Sequence, residues 1–405
     1  MAESSNVESF GGLLDLSDRP DFGGDRTPGN YAYIRTSDRV LYKRCKQKWD
    51  WAWSARGNRT AALKSNPLWF GSGFHFAMED FHGAKRWPTA ADAFEAYARA
   101  IRKVEQTPAD YAELLELGRG MSDYYEEWLK SREPLQTFRD PRTGEYCVEL
   151  RFQILLDLDR DWLAARGLDG VYYTGTLDRV IVDDYGRLWI LDYKTAKTIQ
   201  TGHLDTDPQI TAYCWALSQV FPDYHIAGFV YQQHRKLLPH EPAFLKSTRM
   251  FSCNKAQVTT RALYRKALVN LYGELDRAPL ANRQFLQWLG ENESEKADML
   301  VNRQFVERSE SRIEYEYDLI HMEAYDMLNP DQYIYPNFTR DCSWDCDFRL
   351  PCQHKCDGGD WEFELQESTV DRQMSGEPES WRPHLELPEP QVRNLQAVRR
   401  RRPGR

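Results

Sequence analysis

The stretch from Gly175 to Tyr213, GTLDRVIVDDYGRLWILDYKTAKTIQTGHLDTDPQITAY, constrains the fold of this chain more than any other. VYYTGTLDRVIV (171–182) and RLWILDYK (187–194) are rich in β-branched and aromatic residues. Asp183-Asp184-Tyr185-Gly186 between them is turn chemistry, so the two runs predict an antiparallel hairpin. Asp207-Pro208 then predicts a helix start, with Asp as N-cap and Pro in the first turn. Paired strands followed by a helix place the chain in the α/β class.

The same stretch carries chemistry. Asp178 lies on one strand of the hairpin and Asp192 on its partner, so two carboxylates can converge on one hard cation. Oxygen ligands of this kind suit Mg²⁺ or Mn²⁺. Lys194 is two residues beyond Asp192 and shares its face of the strand. There it can orient a water or neutralise charge that develops on a phosphate. Gln209 and Tyr213 are one helical turn apart and face the same way. His75, on a predicted helix over 70–84, is a further ligand if that helix packs on the sheet. Glu149, on a predicted strand over 147–158, either reaches the site or faces solvent. Asp-x-Lys alone is common on exposed strands; the combination is what carries information.

Other features set limits. The chain has 405 residues and a net charge of −9, which excludes a wholly electrostatic coat for nucleic acid but not an enzyme with a local basic groove. No apolar run long enough to span a membrane and no secretion signal are seen, so a cytoplasmic location is the default expectation. Residues 1–30 read as a disordered segment. Residues 31–135 form a helical region, including a helix over 35–56 started by Ser37. Residues 136–240 hold the hairpin and its neighbouring strands. Residues 241–361 are mostly helical and end in a cysteine-rich piece. Residues 362–405 read as a flexible basic tail, whose last thirteen residues include six arginines.

GTLDRV, LDYK and QxxxY together resemble the PD-(D/E)XK nuclease superfamily, and GSGFHFAME upstream resembles the histidine motif of its RecB-like exonuclease branch. The resemblance spans roughly residues 31–357. It implies a restriction-endonuclease-like mixed sheet flanked by helices, with helical additions closed by a cysteine metal site. It implies metal ligands at His75, Asp178, Asp192 and the Tyr193 backbone carbonyl. Lys194 is then the catalytic lysine, and Gln209 and Tyr213 the downstream element. The implied activity is metal-dependent hydrolysis of DNA, exonucleolytic on single strands. Members of this kind act in recombination, repair, CRISPR adaptation or phage DNA metabolism.

Cys342, Cys346, Cys352 and Cys356 fall within fifteen residues, while Cys45, Cys147, Cys214 and Cys253 are isolated. Spacing alone favours a four-cysteine Zn²⁺ site without excluding an iron–sulfur cluster. RecB-like nucleases of the AddB and CRISPR-associated kind carry a 4Fe–4S cluster, with one ligand before the nuclease core and three after it. By that resemblance the ligands are Cys45, Cys342, Cys346 and Cys352. Cys342 stands one residue further from Cys346 than is usual, which leaves Cys356 as a competitor. Cys147, Cys214 and Cys253 are expected to be core thiols.

Arg35, Arg39, Lys43, Arg44, Lys46, Lys48, Arg179 and Lys197 are candidate phosphate contacts, with Tyr42, Trp49 and Trp51 as stacking partners for bases; the same residues also suit a solvated helix face. Two other functions fit parts of the pattern. One is a catalytically inactive nuclease-fold protein that binds or scaffolds DNA, and the other is a zinc-stabilised nucleic-acid adaptor.

Overall fold

The computed structural model describes residues 30–62, 66–83, 85–102, 110–343, 346–371 and 395–396. The segment expected to be disordered, up to residue 29, and most of the basic tail lie outside these residues. The chain opens on β1 (Tyr31–Arg35), α1 (Thr36–Arg44), α2 (Lys46–Ala52) and the short β2 (Arg59–Ala61). Three helices follow: α3 (Asn66–His82), α4 (Ala90–Ile101) and α5 (Tyr111–Lys130). The central part runs β3 (Gln136–Thr137), β4 (Val148–Leu155), α6 (Arg160–Ala164), β5 (Gly170–Val182), β6 (Leu188–Ala196), α7 (Pro208–Val220) and β7 (Ile226–Arg235). Next come a small hairpin, β8 (Phe244–Leu245) and β9 (Met250–Phe251), and then α8 (Arg261–Tyr272), α9 (Leu280–Glu291) and α10 (Glu293–Asp298). The chain continues with β10 (Val301–Glu307), α11 (Glu310–Met327), α12 (Arg349–Asp357), α13 (Trp361–Ser368), β11 (Thr369–Asp371) and β12 (Leu395–Gln396).

The main sheet has the order β10-β7-β6-β5-β4-β12, with β1 and β3 also paired to β5. β5 is antiparallel to both β4 and β6, β6 and β7 are parallel, and β1 is parallel to β5. This is the mixed sheet flanked by helices that the sequence leads one to expect. Alternate side chains of β6 serve two cores, because successive residues of a strand point to opposite faces. Leu188 and Ile190 join a core with Ile210 and Leu217 of α7 and Ile320 of α11. Trp189, Leu191 and Tyr193 join another with Phe74 of α3, Phe94 of α4 and Tyr125 of α5. Burial on both faces explains the unbroken apolar run LWIL. Each such side chain contributes about 1.5–3 kcal/mol.

The sheet is forked at β5. β4 occupies one edge of β5 from Tyr172 to Arg179. On the other edge, Gly170–Thr174 pairs with β1, and Arg179–Val182 pairs with β6. Gly175 to Asp178 therefore lie in the crotch between β1 and β6. Asp178 and Asp192 would form the next rung of the β5–β6 ladder, but the strands separate there. The Asp178 carboxylate instead accepts the Tyr193 N–H at 2.8 Å. Glycine is needed at the start of the fork: a Cβ on Gly175 would stand 2.6 Å from the Phe152 ring. The hairpin turn matches its reading, with Gly186 at φ 76° and Asp183 Oδ1 accepting from the N–H groups of Tyr185 and Arg187.

Three features differ from the sequence reading. The helix expected over 35–56 is preceded by β1 and broken at Cys45, whose φ of −160° and ψ of 111° are extended. The mostly helical region over 241–361 contains the strand β10, which pairs antiparallel with β7. Residues 362–371, assigned to a flexible tail, continue as helix α13 and as β11, which pairs with β2. In each case a partner distant in sequence supplies hydrogen bonds that local propensity does not reveal.

Candidate active site

A cavity of about 460 Å³ opens in the fork and is lined by His75, Glu149, Asp178, Asp192, Tyr193, Lys194, Gln209 and Tyr213. All the site residues read from the hairpin, the histidine motif and the helix α7 thus share one cavity. Each element contributes for a local reason. α3 lies across the sheet with Phe70, Phe74 and Met78 in the core, which leaves His75 beside the strands. Asp207 caps α7 by accepting the Gln209 N–H at 2.8 Å, with Pro208 in the first turn. Gln209 Nε2 then donates to the Tyr213 hydroxyl at 3.0 Å on the face turned to the cavity.

His75 Nδ1 stands 3.3 Å from Asp178 Oδ2 and 3.8 Å from Glu149 Oε1. Ligand atoms of these three residues all lie within 4.8 Å of one another. Asp192 stands with Lys194 instead. Its Oδ1 accepts from Lys194 Nζ at 2.8 Å, while Oδ2, 2.7 Å from the same ammonium, is buried and accepts no hydrogen bond. Glu149 was left open by the sequence, and its placement follows from register: it lies opposite Asp178, between the rungs Val148–Arg179 and Leu150–Leu177. Its backbone is left-handed, with φ 45° inside a strand. That conformation costs about 1–3 kcal/mol in a residue other than glycine, and such strain gathers at functional sites.

The electrostatics describe a pocket short of positive charge. Burial alone would lower the pKa of His75, but the Asp178 and Glu149 carboxylates lift it to about 10. Burial raises Asp178, yet His75, Lys194 and the Tyr193 N–H together hold it below the usual carboxylate range. Burial, with the charge of Asp178 added, pushes Asp192 up to about 6 against the pull of Lys194. Lys194 is driven above the ordinary ammonium range by Asp192 and Asp178 despite its burial. Protons on His75 and Lys194 are thus held where a cation is wanted. Carboxylates and an imidazole converging in one cavity fit a hard divalent ion.

Cys45, Cys342, Cys346 and Cys352 line a second, smaller cavity of about 90 Å³, walled by Trp51 and Phe348. Cys356 is exposed and does not line it. Burial and the neighbouring sulfurs push the Cys352 thiol up to about 12, and burial also raises Cys346. Among the described residues, no three of these sulfurs lie within 4.8 Å of one another. Cys147 and Cys214 are core thiols as expected, whereas Cys253 is exposed beside Tyr264.

Several expected DNA contacts are corrected. Arg39 is 2% exposed and is clamped by Glu316 at 2.7 Å and Glu323 at 2.6 Å. Arg179 is buried, donating to Thr137 Oγ1 at 2.9 Å and to the Leu135 carbonyl. Tyr42, Trp49 and Trp51 are buried and cannot stack on bases. Their apolar periodicity was a core signal, which a mixture of Arg, Lys and aromatic residues disguised.

No helix of the described residues is long and apolar enough to cross a membrane. No curated protein matches the chain. A solved crystal structure, of the protein SSO0001, is 13% identical with a TM-score of 0.21, the likeness covering 50% of this chain and 61% of the other. A family model described as the PD-(D/E)XK nuclease superfamily matches residues 37–353. That span takes in β5 and β6, the histidine helix and three of the four cysteines of the C-terminal group, and the chain belongs to the PD-(D/E)XK nuclease superfamily.

Proposed function

We propose that this chain is a RecB-like deoxyribonuclease that hydrolyses single-stranded DNA from an end, using Mg²⁺ or Mn²⁺. The observation that carries this reading is the single cavity that unites His75, Asp178 and Glu149 with the Asp192–Lys194 pair. His75, Asp178, Asp192 and the Tyr193 carbonyl would hold the ion. When bound, the ion supplies a Lewis acid that draws charge from the phosphodiester. Lys194, fixed by Asp192, keeps its proton across the physiological range. Its ammonium orients the attacking water and offsets negative charge on the phosphoryl oxygens in the transition state. Gln209 holds the Tyr213 hydroxyl toward the substrate backbone. The walls of the fork keep the reacting phosphate close to the carboxylates.

We also infer that Cys45, Cys342, Cys346 and Cys352 hold a 4Fe–4S cluster of structural role. Support comes from their shared cavity and from the position of Cys356 outside it. Cellular partners from recombination, CRISPR adaptation or phage replication are consistent with this reading.

The test is cleavage of labelled single-stranded DNA with Mn²⁺ by the wild type and by Lys194→Ala. The variant should be slower by about 10²–10⁴-fold. Equal rates of cleavage would exclude the catalytic assignment of Lys194, and no cleavage by the wild type would favour a DNA-binding scaffold.

A further inference from the structure

Residues 331–339 have no helix or strand of their own, yet Gln332, Ile334, Tyr335 and Asn337 are tied down. Gln332 Nε2 donates to the Tyr42 hydroxyl, and Ile334 packs on the core. The Tyr335 carbonyl accepts the Gln47 N–H at 3.2 Å, and Asn337 Nδ2 donates to the Arg44 carbonyl at 2.9 Å. The intervening side chains are turned out: Tyr333 is 88% exposed, Tyr335 55% and Phe338 62%. Three aromatic rings on a pinned backbone at the surface are unfavourable in water and mark an interaction surface.

Charge and spacing indicate what covers them. Lys46 Nζ stands 5.9 Å from the Tyr335 ring and 5.0 Å from that of Tyr42, and Arg340 is exposed just beyond Phe338. Phe338 follows Tyr335 by three residues, whereas Tyr333 and Tyr335 are positions i and i+2, about 6.7 Å apart in an extended chain. That is about twice the 3.4 Å rise of one nucleotide in a stacked strand. Cations interleaved with rings at this spacing suit bases and phosphates of one unpaired strand. The strip and the carboxylate cavity meet opposite ends of α1. Arg35, Thr36 and Ser37, at the start of α1, line the carboxylate cavity, whereas Arg44 and Cys45 at its end meet this segment. A nine-residue helix is about 13.5 Å long, or about four stacked nucleotides.

We propose that Tyr333, Tyr335 and Phe338 form a base-stacking platform for single-stranded nucleic acid, with Lys46 and Arg340 meeting its phosphates. The proposal rests on the nuclease reading for the origin of the strand, but its binding chemistry is separate. The test is fluorescence anisotropy of labelled oligo(dT) with the full chain in EDTA, where cleavage is suppressed. Tyr333→Ala and Tyr335→Ala should each weaken binding by about fivefold or more, and the double variant by about 25-fold or more. Tyr333→Phe should bind as the wild type does, and affinity for a duplex of equal length should change less than about twofold, because paired bases cannot reach the rings. Unchanged oligo(dT) binding in the double variant overturns the platform. So does an equal loss for duplex. So does a loss of self-association by sedimentation with oligo(dT) binding intact, which would make the strip a protein interface. If the wild type cleaves no DNA while the double variant still loses oligo(dT) affinity, the nuclease reading fails and the platform stands.

Discussion

The carboxylate cavity and the cysteine cavity lie at the two ends of α1 and are built in opposite ways. The first is carried on strands and long helices. Its negative charge is met by protons on His75 and Lys194, whose pKa values the neighbouring carboxylates raise. The second is carried on a helix break, a short turn and the short helix α12. Its sulfurs are held apart, and burial favours the neutral thiols at Cys346 and Cys352. A site organised by the fold should lose activity without its ion and keep its shape. A site organised by its ligand should lose order when the ligand is removed. α1 belongs to both, clamped to α11 through Arg39.

The largest expected effect falls on that shared element. Arg39→Ala leaves Glu316 and Glu323 without their buried partner and should destabilise the protein by about 3–5 kcal/mol. Denaturant unfolding followed at tryptophan would measure it, and a loss under about 1 kcal/mol would mean that α1 is held by packing alone. Asp178→Asn should slow DNA cleavage by about 10²–10³-fold, equivalent to about 3–4 kcal/mol, with little change in melting temperature. A collapse of the fold in this variant would erase the contrast between the two sites.

Cys45→Ser should do the reverse. Anaerobically purified wild type should be brown and contain iron, whereas this variant should lose iron, melt lower and become sensitive to protease around residues 331–343. Cys356→Ser should keep its iron. A colourless wild type with stoichiometric zinc would replace the cluster by a single ion and require the sulfurs to close up.

The smallest effect is a proton. His75 keeps its proton to about pH 10 in the metal-free protein. Its folded pKa lies above the unfolded value of about 6.5. Its contribution to metal-free stability is therefore fully present below that value and is lost as the pH rises toward 10. Binding of a divalent ion at His75 must expel this proton. Between pH 7 and 9 metal affinity should rise about tenfold per unit, with about one proton released per ion. Below about pH 6 Asp192 takes up a further competing proton. Calorimetry of Mn²⁺ binding in buffers of different ionisation enthalpy would count the protons. Zero release would remove His75 from the ligands.

Much of the carboxylate cavity was legible because it is local. Asp192 and Lys194 share a strand face by the period of two, Gln209 and Tyr213 share a helix face, and Asp207-Pro208 starts the helix that carries them. Glu149 was ambiguous because its place depends on which residue of β5 lies opposite, and it adopts a backbone angle that no propensity anticipates. Arg39 and Arg179 were misread as DNA contacts because the sequence displays their charge and conceals the buried groups that surround them.

The sequence by itself determined the α/β class, the acidic hairpin with its lysine, and the helix beyond it, since these follow from side-chain period, turn chemistry and capping over a few residues. Only the tertiary structure decided the fork between β1 and β6, the entry of Glu149 into the cavity, and the small cavity that Cys45, Cys342, Cys346 and Cys352 line and Cys356 does not. Those outcomes depend on strand register and on packing between segments tens to hundreds of residues apart, where burial and hydrogen-bond satisfaction select one arrangement among many that local preferences allow.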